Sequence, residues 1–322
     1  MVLPVGYYEQ AFATIDDTVK GKFKVRHSFQ TNGTLIDDRW CAFLKKEDVR
    51  IGLSIDGPAL IHDQHRRTRD GKGSHARTME GVRKLQEHNI PFHVIAVITA
   101  DSLGHAPEMF RYFEDLGIEE LGFNVEELEG NHTGSSLGGT VEGQVENFWQ
   151  ELYENSRSSK SGMRIREFER AARAILMSRA TQSWQQTAQN NDQVLPFRII
   201  SVDWSGRIST FSPELMGTCD LKFADFIFGT VGRSDIVAIK SSKEFQRAAS
   251  EIWSGVGECA ESCEYFSVCG GGAPSNKYFE NGSFASTSTM YCRSTIQIPV
   301  RIVLKDFERK LNLSTNDSMS VS

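Results

Sequence analysis

Four cysteines near the C-terminus have the residue type and spacing of a metal or iron-sulfur site. Cys259, Cys263, Cys269 and Cys292 are separated by three, five and twenty-two residues, and glycines occupy positions 270–272. The uneven gaps differ from the short paired gaps of zinc ribbons and suit a wider iron-sulfur cube. Glycines beside a ligand let bare backbone approach inorganic sulfide. The pattern therefore favours a cluster, with a structural zinc site and unrelated core thiols as open alternatives.

The composition is that of a globular protein with one large or two moderate domains. The chain has 322 residues, of which 39% are hydrophobic and 24% charged, and its net charge is -6. This acidic balance provides neither a basic stripe for nucleic acid nor a polybasic membrane patch, so we expect neither partner. The sequence shows no membrane-spanning apolar run and no secretion signal. We therefore predict a cytoplasmic protein, in which disulfides are rare and clustered thiols favour metal.

The first 125 residues alternate between helical and strand patterns, which predicts an α/β fold with a parallel sheet. Strands are predicted near 23–30, 49–55, 92–99 and 119–124, and helices near 6–20, 35–46, 74–88 and 105–116. Polar residues follow the strands, where barrel-type enzymes carry their active-site groups. These residues are Asn32, Ser54, Asp56, Thr99 and Asn124.

The rest of the chain contains a long loop, two helices, a linker and the cysteine-rich segment. The loop is expected at 126–142, the helices near 143–157 and 160–180, a polar linker at 182–193 and a hairpin at 197–211. We predict a first domain at 1–180, a second at 195–313 and a disordered tail at 314–322.

Two motifs carry a resemblance to a known family. The runs Ser54–Pro58, His62–Asp63 and Gly71–Ser74 resemble the fourth strand and following loop of radical S-adenosylmethionine enzymes related to anaerobic sulfatase-maturating enzymes. The run Cys259–Lys277, with Tyr291–Arg293, resembles a SPASM domain. In detail, it is similar to the cyclophane-forming maturases of glycine-rich-repeat precursor peptides.

The resemblance implies a fold, cofactors and a substrate. The fold would be a partial (β/α) barrel followed by a SPASM domain that binds one auxiliary 4Fe-4S cluster through the four cysteines. Two-cluster relatives have a further cysteine where this chain has Ala273. The enzyme would crosslink side chains of a ribosomally made, glycine-rich precursor peptide.

The resemblance also implies contacts to S-adenosyl-L-methionine from Ser54, Asp56, Ser74 and Asn32. Structural roles are the alternatives for each of these residues. Asp56 and Asn32 would then be turn residues, and Ser74 would be a helix N-cap. No residue is assigned a catalytic role, and no histidine is assigned to a metal.

The sequence departs from the family pattern at its N-terminal side. It contains neither the Cys-x3-Cys-x2-Cys loop of the catalytic cluster nor the Gly-Gly-Glu-Pro motif. Leu3–Tyr8 resembles the segment that follows that motif in relatives, which implies that the chain begins inside the barrel. We therefore expect an unpaired strand edge near 22–30. S-adenosyl-L-methionine is expected to bind only if the missing part is supplied. The alternative function is a non-catalytic iron-sulfur remnant or a peptide-binding scaffold.

Overall fold

The computed structural model forms two compact units. The first comprises residues 1–124 with 150–166, and the second residues 125–149 with 167–322. The structure describes residues 2–130, 134–138, 142–177 and 183–311. The predicted tail at 314–322 lies outside the described residues, and the domain boundaries stay a prediction.

The N-terminal part of the chain alternates helices and strands as expected. Its helices are α1 (Val5–Val19), α2 (Asp38–Lys46), α3 (Ala59–His65), α4 (His75–Glu87) and α5 (Ala106–Asp115), and α6 (Glu142–Ser158) follows. Its strands are β1 (Ser28–Thr31), β2 (Arg50–Ser54), β3 (Phe92–Ile98), β4 (Glu120–Val125) and β5 (Arg164–Ile165). The five strands form one sheet in the order β1-β2-β3-β4-β5, with β1-β2, β2-β3 and β4-β5 parallel. The predicted α/β class is confirmed.

The two faces of this sheet differ in character. One face carries buried apolar side chains such as Leu53 and Val94, which form the core. On the other face, Gly52 leaves room for polar groups. A Cβ there would lie 2.0 Å from Gln30 Oε1 and 2.5 Å from His93 Nε2. This face therefore carries polar side chains beside Gly52, from Gln30 and His93.

Several sequence expectations need correction in this unit. The first strand begins at Ser28, not near residue 23. Residues 59–65, taken as part of a polar loop, form α3, because Pro58 precedes a helical turn that buries Ile61 and His62. The helix predicted at 160–180 is shorter, since β5 occupies 164–165 before α7 begins. As expected, β1 is an edge strand, hydrogen-bonded to β2 on one side.

The second unit contains a small sheet surrounded by helices. Its helices are α7 (Arg166–Leu176, whose first residue falls in the first unit), α8 (Trp184–Ala188), α9 (Ile236–Ser241), α10 (Lys243–Ser262), α11 (Phe266–Cys269), α12 (Pro274–Asn281), α13 (Met290–Cys292) and α14 (Ile298–Lys310). Its strands are β6 (Ile200–Val202), β7 (Arg207–Thr210) and β8 (Gly229–Thr230), which pair antiparallel in that order. The predicted hairpin is confirmed, whereas β8 was not anticipated and α8 lies in the predicted linker.

Helix α10 organises the core of this unit. Ser242 caps its first turn by accepting a hydrogen bond from the Phe245 amide. Inward positions at helical spacing pack Phe245, Ile252 and Val256 against an aromatic cluster that includes Phe284. The same buried stripe ends at Cys259, so the core fixes the direction of the first candidate ligand. No helix in the described ranges is long and apolar enough to cross a bilayer.

Candidate functional site

Three of the four residues predicted to contact S-adenosyl-L-methionine lie in one hydrogen-bond network in the first unit. Thr78 Oγ1 donates to the carbonyls of Asn32 and Ser74, at 3.0 and 3.1 Å. Ser74 Oγ lies 3.0 Å from His62 Nε2, and the Asp56 amide donates to His62 Nδ1 at 3.3 Å. The network ties the loops after β1 and β2 to the start of α4.

The carboxylate of Asp56 is engaged by protein groups. Arg66 donates to both of its oxygens, at 2.6 Å from Nε and 2.9 Å from Nη2. The Val97 amide donates to Oδ1 at 2.9 Å. Asp56 is only 5% exposed. The bidentate, charge-assisted pair ties the loop after β2 to the end of α3, and the bond from the Val97 amide ties the same loop to β3.

The other predicted contacts divide between exposed and buried positions. Ser74 is buried and occupies the N-cap position of α4, but its hydroxyl donates to the Arg66 carbonyl instead of capping the helix. Asn32 is exposed and forms a turn in which its Oδ1 accepts from Thr34. Ser54 Oγ accepts from the side-chain Nε2 of Gln30 at 3.1 Å. The assignment of these residues to the cosubstrate stays a prediction.

His62 is the buried centre of the network. Ser74 Oγ gives its proton to the Arg66 carbonyl, so His62 Nε2 must carry a proton and donate to Ser74, while Nδ1 accepts from the Asp56 amide. Burial lowers the pKa of His62 to about 4, although the Asp56 carboxylate acts in the opposite direction. The folded protein therefore holds the neutral ring.

The lowered pKa predicts acid sensitivity. Below about pH 6.5 the unfolded ring, with a pKa near 6.5, binds a proton, whereas the folded ring stays neutral. The contribution of His62 to the free energy of unfolding is therefore complete above about pH 6.5 and is lost as pH falls towards 4. We expect His62 to account for about 2 kcal/mol of the stability lost between pH 7 and pH 5. Urea unfolding of the wild type and His62→Gln at both pH values measures this. Equal losses in the two proteins would contradict the prediction.

In the second unit, three structural elements position the four cysteines: helix α10, the end of α11 and the start of α13. Cys259 lies on the buried stripe of α10, and Cys263 is the residue at which that helix ends. Cys269 is the last residue of α11, which Gly270 terminates in a left-handed conformation. The Thr289 hydroxyl accepts from the Cys292 amide at 3.0 Å and so fixes the start of α13.

These elements place all four cysteines in the lining of one cavity of about 210 Å³. Four side chains that lie up to thirty-three positions apart in sequence thus line one cavity, and their role as cluster ligands stays a prediction. Among the described residues, no group of three or more His, Cys, Asp or Glu side chains is arranged so that it could hold a metal ion.

The glycine turn forms a cradle beside Cys269. Gly270, Gly271 and Gly272 have φ angles of 63°, 106° and 74°, which side chains rarely tolerate. The backbone amides of Gly271 and Gly272 lower the pKa of the Cys269 thiol, against the effect of burial. A Cβ at Gly271 would approach Val256 Cγ2 to 2.9 Å. Successive amides aimed at one sulfur form an anion-binding nest, as a cluster-bound thiolate requires.

The protonation of the thiols is set by burial. Burial raises the pKa of the Cys263 and Cys269 thiols, and it raises that of Cys292 to about 12. Neighbouring cysteines act in the same direction, because adjacent thiolates repel one another. Without a bound metal these thiols stay protonated, and metal binding must displace their protons.

Three polar residues around the cavity were not assigned roles from the sequence. Lys277 Nζ lies 3.2 Å from Cys259 Sγ, and Gln297 Nε2 lies 3.6 Å from Cys292 Sγ. Asn191 Nδ2 donates to the Gly272 carbonyl at 2.8 Å and holds the glycine turn. Lys277 is the charged residue in an otherwise uncharged run after Cys269, and this pattern could have marked it as a candidate site residue from the sequence. Asn191 comes from a distant segment and carries no such signal.

Comparison with known proteins agrees with the motifs. Residues 4–113 match the sequence profile of the Radical SAM superfamily. The uncharacterized protein sll1766 of Synechocystis is 41% identical over 315 residues, which covers 96% of this chain and 77% of that protein. The serine-type anaerobic sulfatase-maturating enzyme of Bacteroides thetaiotaomicron is 27% identical over 146 residues, or 45% of this chain and 35% of that enzyme.

Solved structures of anSMEcpe share the fold. One with bound AdoMet has a TM-score of 0.72 at 19% identity, covering 97% of this chain and 79% of that chain. Another, with AdoMet and the Cp18Cys peptide, has a TM-score of 0.70 at 21% identity, covering 96% and 81%. With the matched profile and the long alignment to sll1766, these findings show that the chain belongs to the radical SAM superfamily.

Proposed function

We propose that this chain belongs to a radical SAM peptide maturase. In this proposal, Cys259, Cys263, Cys269 and Cys292 hold one auxiliary 4Fe-4S cluster, and the substrate is a ribosomally made precursor peptide whose side chains become crosslinked. The observation that carries the proposal is the meeting of the four thiols and the amide nest of Gly271 and Gly272 at one cavity.

The similarity to sulfatase-maturating enzymes supports a peptide as the substrate class. One of the solved anSMEcpe structures holds a bound peptide together with AdoMet. A cyclophane-type crosslink and a glycine-rich precursor rest on the resemblance of the segment from Cys259 to Lys277 to the maturases of such peptides.

The bound auxiliary cluster would accept or donate single electrons. The chain's own residues would supply its setting: four thiolates once their protons are displaced, amides from the glycine turn, and the Gln297 side chain near Cys292. Asn191 would keep the glycine turn in place.

Cosubstrate cleavage needs more than this sequence contains. The six cysteines of the chain include no Cys-x3-Cys-x2-Cys triplet, so three further cysteines would be needed for a catalytic cluster of that kind. The absence of the triplet from residues 1–322 favours a second candidate for this chain acting alone, a non-catalytic iron-sulfur protein that binds peptide.

Co-expression with a short glycine-rich precursor, encoded beside the gene, tests the proposal. We expect a chain extended by a segment that bears the triplet to give a product two hydrogen atoms lighter per crosslink, because joining two carbons removes one hydrogen from each. The 322-residue chain alone should leave the peptide mass unchanged. Mass spectrometry of the peptide is the measurement.

The extended protein must first be shown to contain its catalytic cluster. If it then leaves the precursor unmodified, the maturase proposal is wrong. Modification by the 322-residue chain alone would also contradict the account, because it would show that the triplet is not needed.

A further inference from the structure

Lys277 is a buried cation at the cavity of the four cysteines. Lys277 is only 4% exposed. Its ammonium group contacts the Gly255 carbonyl at 2.7 Å and Cys259 Sγ at 3.2 Å. Among the described residues that line the cavity, it is the one basic side chain, and the exposed Glu264 is the one acidic side chain.

The structure provides no carboxylate for this ammonium group. Within residues 2–130, 134–138, 142–177 and 183–311, no Asp or Glu oxygen lies within ion-pair distance of Lys277 Nζ. Burying an unpaired charge costs several kcal/mol, so buried lysines are normally paired. The sulfur of Cys259, 3.2 Å away, is therefore the atom beside Lys277 Nζ that could supply a counter-charge when the site binds a metal cluster.

The packing of the core places the Lys277 ammonium group against helix α10. Position 255 on α10 is a glycine, and a Cβ there would lie 1.9 Å from the Phe284 carbonyl oxygen and 3.2 Å from Lys277 Nζ. The missing side chain lets the loop at Phe284 and the ammonium group reach the helix backbone. Helix α12, which carries Lys277, begins at Pro274 directly after the glycine turn. Both ends of the lysine are thus fixed beside the cysteine cavity.

We propose that Lys277 sets the reduction potential of the cluster bound at Cys259, Cys263, Cys269 and Cys292. This inference rests on the proposed function. Reduction adds one electron to a site that already carries thiolate charge, so a fixed cation 3.2 Å from one ligand sulfur stabilises the reduced state more than the oxidised state. The ammonium group raises the potential and makes the site a better electron acceptor.

Redox titration of anaerobically purified protein, followed by electron paramagnetic resonance, tests the inference. Lys277→Met replaces the cation with a neutral side chain of similar length. We expect the one-electron reduction equilibrium to become at least tenfold less favourable, a fall of about 59 mV. The matched control, Gln297→Met, removes a neutral donor to Cys292 Sγ and should shift the equilibrium by less than half as much on the logarithmic scale.

Iron and sulfide content separates the possible failures. An unchanged potential in Lys277→Met with full iron content overturns the role of Lys277 and leaves the cluster proposal intact. A wild-type protein without iron and sulfide overturns both. If Lys277→Met loses its iron, Lys277→Arg decides: retained iron in the arginine variant supports the need for a cation, and loss in both variants shows a packing role and overturns the inference.

Discussion

Replacement of Cys269 by alanine is expected to abolish iron binding. Cys269 is the proposed ligand whose thiol pKa the Gly271 and Gly272 amides lower, and it joins α11 to the glycine turn. Three remaining thiolates would leave one iron of the cluster without a protein ligand, and metal binding in such a site is coupled to local folding. We expect iron and sulfide to fall at least tenfold, together with a loss of protease resistance in the segment 256–293.

The control for this variant is Cys219→Ala. Cys219 is exposed and does not line the cavity. Its removal should leave iron, sulfide and the visible absorption spectrum unchanged. If Cys269→Ala keeps its iron, or if Cys219→Ala loses it, the four proposed ligands have been chosen wrongly.

Removal of the Asp56 carboxylate is expected to destabilise the first unit strongly. In Asp56→Ala the Arg66 guanidinium, whose side chain is 26% exposed, loses both of its carboxylate bonds, and the Val97 amide loses its acceptor. Breaking a buried pair from one side costs more than removing both partners. We expect the free energy of unfolding to fall by about 3 kcal/mol, measured by urea denaturation.

Asp70→Ala is the matched control, because Asp70 is an exposed carboxylate whose ion pair with Lys72 is 3.5 Å long. It should leave the urea midpoint unchanged. An Asp56→Ala protein as stable as the wild type would contradict the structural role of the Asp56–Arg66 pair.

The alternating fold and the convergence of the cysteines could be predicted from the sequence, because both depend on local patterns. Period and turn residues located β2, β3 and β4 to within one residue at each end, and the cysteine spacing with the glycine run indicated one candidate site. Helix α3 was missed because its seven residues are too few to show a helical period. Strands β5 and β8 have two residues each, so no alternation is visible in them.

The side-chain partners were less predictable, because they join distant parts of the chain. The bond that the Asp56 carboxylate accepts from the Val97 amide comes from a neighbouring strand forty-one positions away, and no local pattern predicts it. His62 seemed a loop residue in the sequence and is fully buried. The proposed role of Lys277 depends on Gly255, twenty-two positions earlier. The absence of a side chain at Gly255 matters only in the packed core, where Lys277 Nζ reaches the Gly255 carbonyl.

Anomalous X-ray scattering at the iron edge, from crystals of anaerobically purified protein, tests the central claim most directly. The account predicts four iron positions inside the cavity bounded by Cys259, Cys263, Cys269 and Cys292, with one cysteine sulfur bound to each iron. No iron peak within the cavity, or a single peak there that appears only in data collected above the zinc edge, would contradict it.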